Sequence, residues 1–64
     1  MSLYDYKRSL DVNLLDFPFA AIIMAAMRQA DSDNLEQLRV AFPEIYAELR
    51  DRIEAPCGVL PEEL

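Results

Sequence analysis

The sequence contains no histidine, no tryptophan, one cysteine and one glycine among its 64 residues. Without histidine, it lacks the commonest general acid–base side chain and any Ser–His or Cys–His nucleophilic pair. Cys57 is the only thiol, so an internal disulfide is excluded, and the Cys and His ligands of a structural zinc site are missing. These absences predict a non-enzymatic protein that uses no cofactor and no metal.

Basic side chains are also scarce. Six Lys and Arg residues stand against twelve Asp and Glu residues, which gives a net charge of −6 and an isoelectric point near 4.3. Nucleic-acid binding requires clustered Lys and Arg to neutralise phosphates, so we expect no direct contact with nucleic acid. The acidity serves either solubility or contact with a basic surface of another protein.

The chain shows no export or membrane signal. Its N-terminal residues do not place a basic region ahead of an apolar one, as a signal peptide does. The longest uncharged run, Phe17–Met27, falls short of the roughly 20 apolar residues that cross a bilayer. A lone unpaired cysteine is typical of a reducing compartment. We therefore expect a cytoplasmic protein without membrane contact.

Four helical patterns account for most of the chain, since no segment alternates between apolar and polar residues. The first runs from about Leu3 to Leu14, and the fourth from about Pro43 to Glu54, because the residue before a proline avoids helical geometry. Asp33 and Glu36 resemble a capping box at the start of the third. The sequence predicts one helical domain, 1–64, with a short extended tail from about residue 55.

The second pattern is the uncharged run Phe17–Met27. Asp16 is placed to cap this helix, and Pro18 suits its first turn. Large apolar side chains cover more than half of its circumference, which is unusual for a surface helix. The sequence thus predicts a compact all-α mini-bundle around a central apolar helix.

Such a small chain buries only about 60% of the surface that its unfolded form exposes. With no disulfide or metal to add stability, we expect this bundle to self-associate as a homo-oligomer. The candidate contact residues are the large side chains of the second helix: Phe19, Ile22, Ile23 and Met27.

The fourth helix carries a row of carboxylates opposite its apolar stripe: Glu44, Glu48, Asp51 and Glu54. Neighbours three and four residues apart on a helix lie about 5–6 Å from each other. That separation is of the same order as the spacing of phosphates, so the row is suited to imitate nucleic acid toward a basic groove. The alternative is a solvated face in which Glu48 and Arg52 form an ordinary i,i+4 pair.

The chain resembles small uncharacterised proteins of tailed phages and prophages in four segments: Met24–Asn34, Leu38–Arg39, Ala41–Glu44 and Ala55–Pro61. Those proteins have glycine where Cys57 stands, so the turn in the tail departs from the pattern. The group has no established activity. The resemblance implies a phage or mobile-element context, in which small acidic proteins often inhibit host defences by binding.

Three functions remain open at this point. The first is a counter-defence (anti-CRISPR-like) inhibitor that binds a host protein stoichiometrically through the acidic row. The host protein would be one that itself binds nucleic acid. The second is an oligomer that sequesters a small immune signalling nucleotide. The third is a structural or accessory phage subunit. In the nucleotide-sequestering oligomer, bidentate phosphate contacts would come from Arg28, Arg39, Arg50 and Arg52.

Overall fold

The computed structural model describes all 64 residues and contains four α-helices, two 3₁₀ turns and no strand. The all-α class and the number of helices are therefore confirmed. The helices are α1 (Leu3–Leu14), α2 (Phe19–Gln29), α3 (Ser32–Ala41) and α4 (Pro43–Glu54), and the turns are η1 (Pro56–Gly58) and η2 (Pro61–Glu63).

The bounds of α1 match the prediction, but the start of α2 does not. Ser2 caps α1 by accepting a 3.2 Å hydrogen bond from the backbone N–H of Asp5. Asp16 has a φ of 55° and turns the chain between α1 and α2. The N-cap of α2 is Pro18, with no side-chain capping bond, so the prediction that Asp16 caps this helix is wrong.

The cap of α3 also differs from the prediction. Asp31 is the N-cap and accepts a 2.8 Å hydrogen bond from the backbone N–H of Asn34. Asp33 and Glu36 form no capping box, because the carboxylate of Glu36 accepts hydrogen bonds from the guanidinium of Arg39 instead.

The transition from α3 to α4 follows the sequence expectation. Phe42 leaves helical geometry, with φ −131° and ψ 65°, and Pro43 is the first residue of α4. The ring of Pro43 disfavours helical geometry at the residue before it, while its fixed φ suits the first turn of a helix. The proline thus ends one helix and begins the next.

The core lies between α2, α3 and α4, which all pack against one another. Met27 of α2 and Leu49 of α4 are the only fully buried residues, at 3% and 7% exposure. At the edge of this core, the rings of Phe19 and Phe42 meet edge to face, with centroids 5.7 Å apart. Helix α4 also packs against η1, so the tail is attached to the bundle through α4.

Helix α1 lies outside this packing. It contacts none of the other helices, and every one of its residues is exposed. The chain measures 43 × 27 × 16 Å, with a radius of gyration of 13.6 Å. A compact domain of this length has a radius of gyration of about 11 Å. The core is consequently made by three of the four helices.

No helix in the chain combines the length and the apolar character that a membrane-spanning segment needs.

Candidate functional site

The acidic row defined by Glu44, Glu48, Asp51 and Glu54 is exposed along its whole length. The opposite face of α4 holds the buried Leu49 and the half-buried Ile45 and Tyr46, which pack toward α2 and α3. This packing fixes the orientation of α4, so its carboxylates face solvent from a rigid helix. The sequence-predicted row is brought together on one surface.

Arg52 connects α4 to the tail. Its Nη1 donates 2.8 Å hydrogen bonds to the carbonyl oxygen of Gly58 and to Oε1 of Glu63, while its Nη2 donates a 2.8 Å bond to Oε2 of Glu63. The Nη2 atom also lies 3.5 Å from Oε1 of Glu48. The predicted Glu48–Arg52 pair therefore forms, but Glu63 is the closer partner.

The Arg52–Glu63 pair is bidentate, because two nitrogens of the guanidinium donate to the two oxygens of one carboxylate. The hydrogen bonds from Arg52 lower the pKa of Glu63 from 4.5 to about 2, and a 3.0 Å hydrogen bond from the backbone N–H of Leu60 acts in the same direction. The pKa of Arg52 is raised, chiefly by its hydrogen bonds to Glu63. Each partner thus stabilises the charged form of the other.

The tail is not extended as predicted, since it folds into η1 and η2 beside α4. Cys57 and Gly58 have positive φ angles of 54° and 70°. This left-handed geometry lets the tail turn back so that the Gly58 carbonyl reaches Arg52. The thiol of Cys57 is exposed.

Three of the four arginines proposed to contact phosphate lie beside carboxylates of the same chain. Arg39 is paired with Glu36, Arg52 with Glu63, and the Nη2 atom of Arg50 lies 3.8 Å from Asp51. None of the four arginines lines a pocket of the chain. The nucleotide-sequestering hypothesis gains no support from this arrangement.

An apolar groove of about 480 Å³ lies between the end of α1 and the exposed side of α2. Ala21 and Ala25, which are exposed, line it on the α2 side. Val12, Leu15 and Phe17 line it on the side of α1 and the following loop. The only polar residue among its lining is Gln29, so the groove carries no charge.

The four residues predicted for self-association differ in how far the chain itself buries them. Met27 is buried within the single chain, while Ile22 and Ile23 are half-buried. Phe19 remains 61% exposed, and Ile22 also lines the groove. The exposed apolar side chains of α1 were not among the residues predicted for this role.

Fold and surfaces together define a small acidic all-α protein with one charged surface on α4 and one apolar surface at α1 and α2. Comparisons with protein-family models, with curated proteins and with solved structures give no match. The phage context inferred from sequence resemblance therefore remains a prediction.

Proposed function

We propose that this protein acts by stoichiometric binding to a basic surface of a host protein, using the acidic row of α4. In the phage context that the sequence suggests, this protein is a counter-defence inhibitor, and the surface it covers is the nucleic-acid groove of its target. The observation that carries the proposal is the exposure of all four carboxylates on a helix whose opposite face is held by the core.

The local charge balance supports this proposal. Residues 43–64 carry six acidic side chains and two arginines. Arg52 makes its shortest contacts with Glu63, which lies outside the row. Arg50 approaches only Asp51, at 3.8 Å. Within the row, Glu48 lies 3.5 Å from Nη2 of Arg52 and Asp51 is the neighbour of Arg50, whereas Glu44 and Glu54 have no ion-pair partner in the chain. Those two carboxylates are therefore free to meet an external partner.

Complementary potentials steer association and make it sensitive to salt. The charged partner expected here is a groove lined with Lys and Arg, in which the carboxylates take the positions of phosphates. Because the carboxylates lie about 5–6 Å apart along the helix, several of them can contact one basic groove together.

The test compares two double variants with the same net charge. Glu44→Lys/Asp51→Lys changes the row, whereas Asp33→Lys/Glu62→Lys changes exposed carboxylates outside it. Each immobilised protein is exposed to a bacterial lysate, and retained proteins are eluted with salt or with double-stranded DNA. We expect a host protein that the wild type and the control variant retain, that the row variant loses, and that DNA displaces.

Equal retention of every host protein by the row variant and the control variant contradicts the use of the acidic row. Retention that depends on the row but resists displacement by DNA contradicts the assignment of a nucleic-acid groove as the target.

A further inference from the structure

The single chain exposes more surface than a folded protein of its mass. Its accessible surface is 5446 Å² for a mass of 7.3 kDa. The usual relation between mass and surface gives about 4,200 Å² for a folded monomer, so roughly 1,300 Å² is in excess. A standard interface buries about 800 Å² on each partner. The excess is therefore large enough for a stable dimer.

Helix α1 is exposed along its whole length. Four of its apolar residues follow helical spacing and form one stripe, and each of the four is between 47% and 81% exposed. A helix of 12 residues is marginal in water on its own, because most helical stability in proteins comes from packing of the apolar face. The members of this stripe, which we call the α1 stripe, are Leu3, Tyr6, Leu10 and Leu14.

The same molecule offers a surface that fits such a stripe. The groove beside α2 is apolar, and Ala21 and Ala25 form its α2 side. Small side chains at a helix contact allow close approach of the two axes. In a twofold-symmetric dimer, the stripe of the first copy contacts the groove of the second, and the stripe of the second contacts the groove of the first. One stripe and one groove on each chain are therefore sufficient.

Charge does not oppose a second copy as the occupant. Helix α1 carries two basic residues, Lys7 and Arg8, and two acidic residues, Asp5 and Asp11. The groove has no charged lining residue. Two copies meeting through these surfaces therefore bring no excess of like charge together, whereas contact through α4 would oppose two acidic rows.

We propose that the chain forms a twofold-symmetric homodimer in which the α1 stripe of each copy packs into the α1–α2 groove of the other. This interface shares Ile22 with the one predicted for the large side chains of α2, but it is otherwise built on the small residues Ala21 and Ala25 of that helix. It leaves the acidic row of α4 outside the contact, and it does not depend on the proposed function.

The test is the mass in solution, measured by sedimentation equilibrium. Samples are held at about 100 µM, a hundredfold above a micromolar Kd. We expect the wild type at twice the 7.3 kDa of one chain. Leu10→Asp in the stripe and Ala25→Glu in the groove should each give the mass of one chain. Val40→Asp, at a residue that is 67% exposed on α3, is the matched control and should remain dimeric.

Three results would overturn the proposal: a monomeric wild type, a wild type of three or more copies, or dimers that persist in both interface variants. Circular dichroism establishes whether the variants keep their helices. If Leu10→Asp or Ala25→Glu unfolds, isotope-filtered NOEs are measured on the wild type instead. A mixture of labelled and unlabelled chains then shows which surfaces of the two copies are in contact. Contacts between Leu10 methyls of one copy and the Ala25 methyl of the other support the interface, and their absence from a dimer rejects it.

Salt separates this interface from the proposed function. The mass of the dimer should be the same in low and high salt, because apolar contacts are not screened. Binding of a host protein through the acidic row should weaken steeply over the same range. Loss of the dimer at high salt contradicts an apolar interface without bearing on the row.

Discussion

Arg52 and Glu63 form a bidentate pair with both N–O distances at 2.8 Å, and this pair joins the last turns of α4 to the end of the tail. The same Nη2 atom of Arg52 lies 3.5 Å from Glu48, a member of the acidic row. Glu63 therefore competes with Glu48 for one guanidinium. By holding Arg52, the tail keeps more negative charge on the row.

The first prediction concerns pH. Glu63 has a pKa of about 2 in the folded chain, against an ordinary value of 4.5. A carboxyl with a depressed pKa stabilises the folded form above its ordinary pKa, and this contribution is lost as pH falls toward the folded pKa. The contribution of the Arg52–Glu63 pair to holding η2 should thus be fully present above pH 4.5 and be lost progressively between pH 4.5 and about 2.

The measurement is the carbon-13 shift of the Glu63 carboxyl as a function of pH. Glu63→Gln should loosen η2 at neutral pH while η1 stays packed against α4, whereas Glu62→Gln, one residue earlier, should leave η2 in place. A titration midpoint of Glu63 near 4.5 contradicts the pairing with Arg52.

A second prediction follows for the acidic row. In Glu63→Gln, Arg52 loses its closest carboxylate and turns to Glu48, which neutralises part of the row. We expect weaker binding of the row's host partner by this variant than by Glu62→Gln, although neither residue belongs to the row. Equal binding by the two variants contradicts the competition for Arg52.

The third prediction concerns the core. Leu49→Ala should lower the free energy of unfolding by about 2–5 kcal/mol, because it removes buried methyl groups and leaves a cavity. A chain of 64 residues has a total stability of roughly 3–10 kcal/mol, so this variant is close to unfolding. Val40→Ala, at an exposed position, should change stability by less than about 0.5 kcal/mol. Urea denaturation measures both, and similar losses would contradict the placement of Leu49 in the core.

The fourth prediction separates two aspartates at the start of α3. Asp31→Ala removes the N-cap and should cost about 1 kcal/mol. Asp33→Ala removes only a favourable charge in the first turn, which is worth about 0.5 kcal/mol. Thermal or urea unfolding ranks the two variants. A larger loss in Asp33→Ala would favour the capping box predicted from sequence.

The fifth prediction concerns the turn at Cys57, whose φ of 54° is unfavourable for most side chains. A β-branched side chain is strained there, so Cys57→Val should lower stability by about 1 kcal/mol. Glycine adopts this geometry freely, which offsets its larger entropy loss on folding, so Cys57→Gly should be at least as stable as the wild type. Greater stability of the valine variant contradicts the left-handed turn.

Sequence periodicity was sufficient for the helices but not for all of their caps. The bounds of α1 and α4 follow from apolar spacing and from Pro43, since both signals are local. The caps of α2 and α3 were misassigned because Asp16 precedes α2 without capping it, and because two aspartates stand at the start of α3. Only backbone geometry selects Asp31 as the cap of α3 and assigns Asp16 to the turn.

Local sequence patterns do not predict contacts between residues that are far apart in the chain. The pair of Arg52 and Glu63 spans 11 residues and depends on the positive φ angles that turn the tail back. Likewise, the spacing of the α1 stripe shows that one face is apolar, but it does not show which surface covers that face. The structure adds that no other helix of the same chain does so.

Amide hydrogen exchange of the wild type at different concentrations tests whether a second copy of the chain covers α1. We predict that the amides of α1 are protected in concentrated samples and lose this protection on dilution, while those in the core of α2 and α4 remain protected. Protection of α1 that does not change with concentration, or its absence in concentrated samples, would contradict the account.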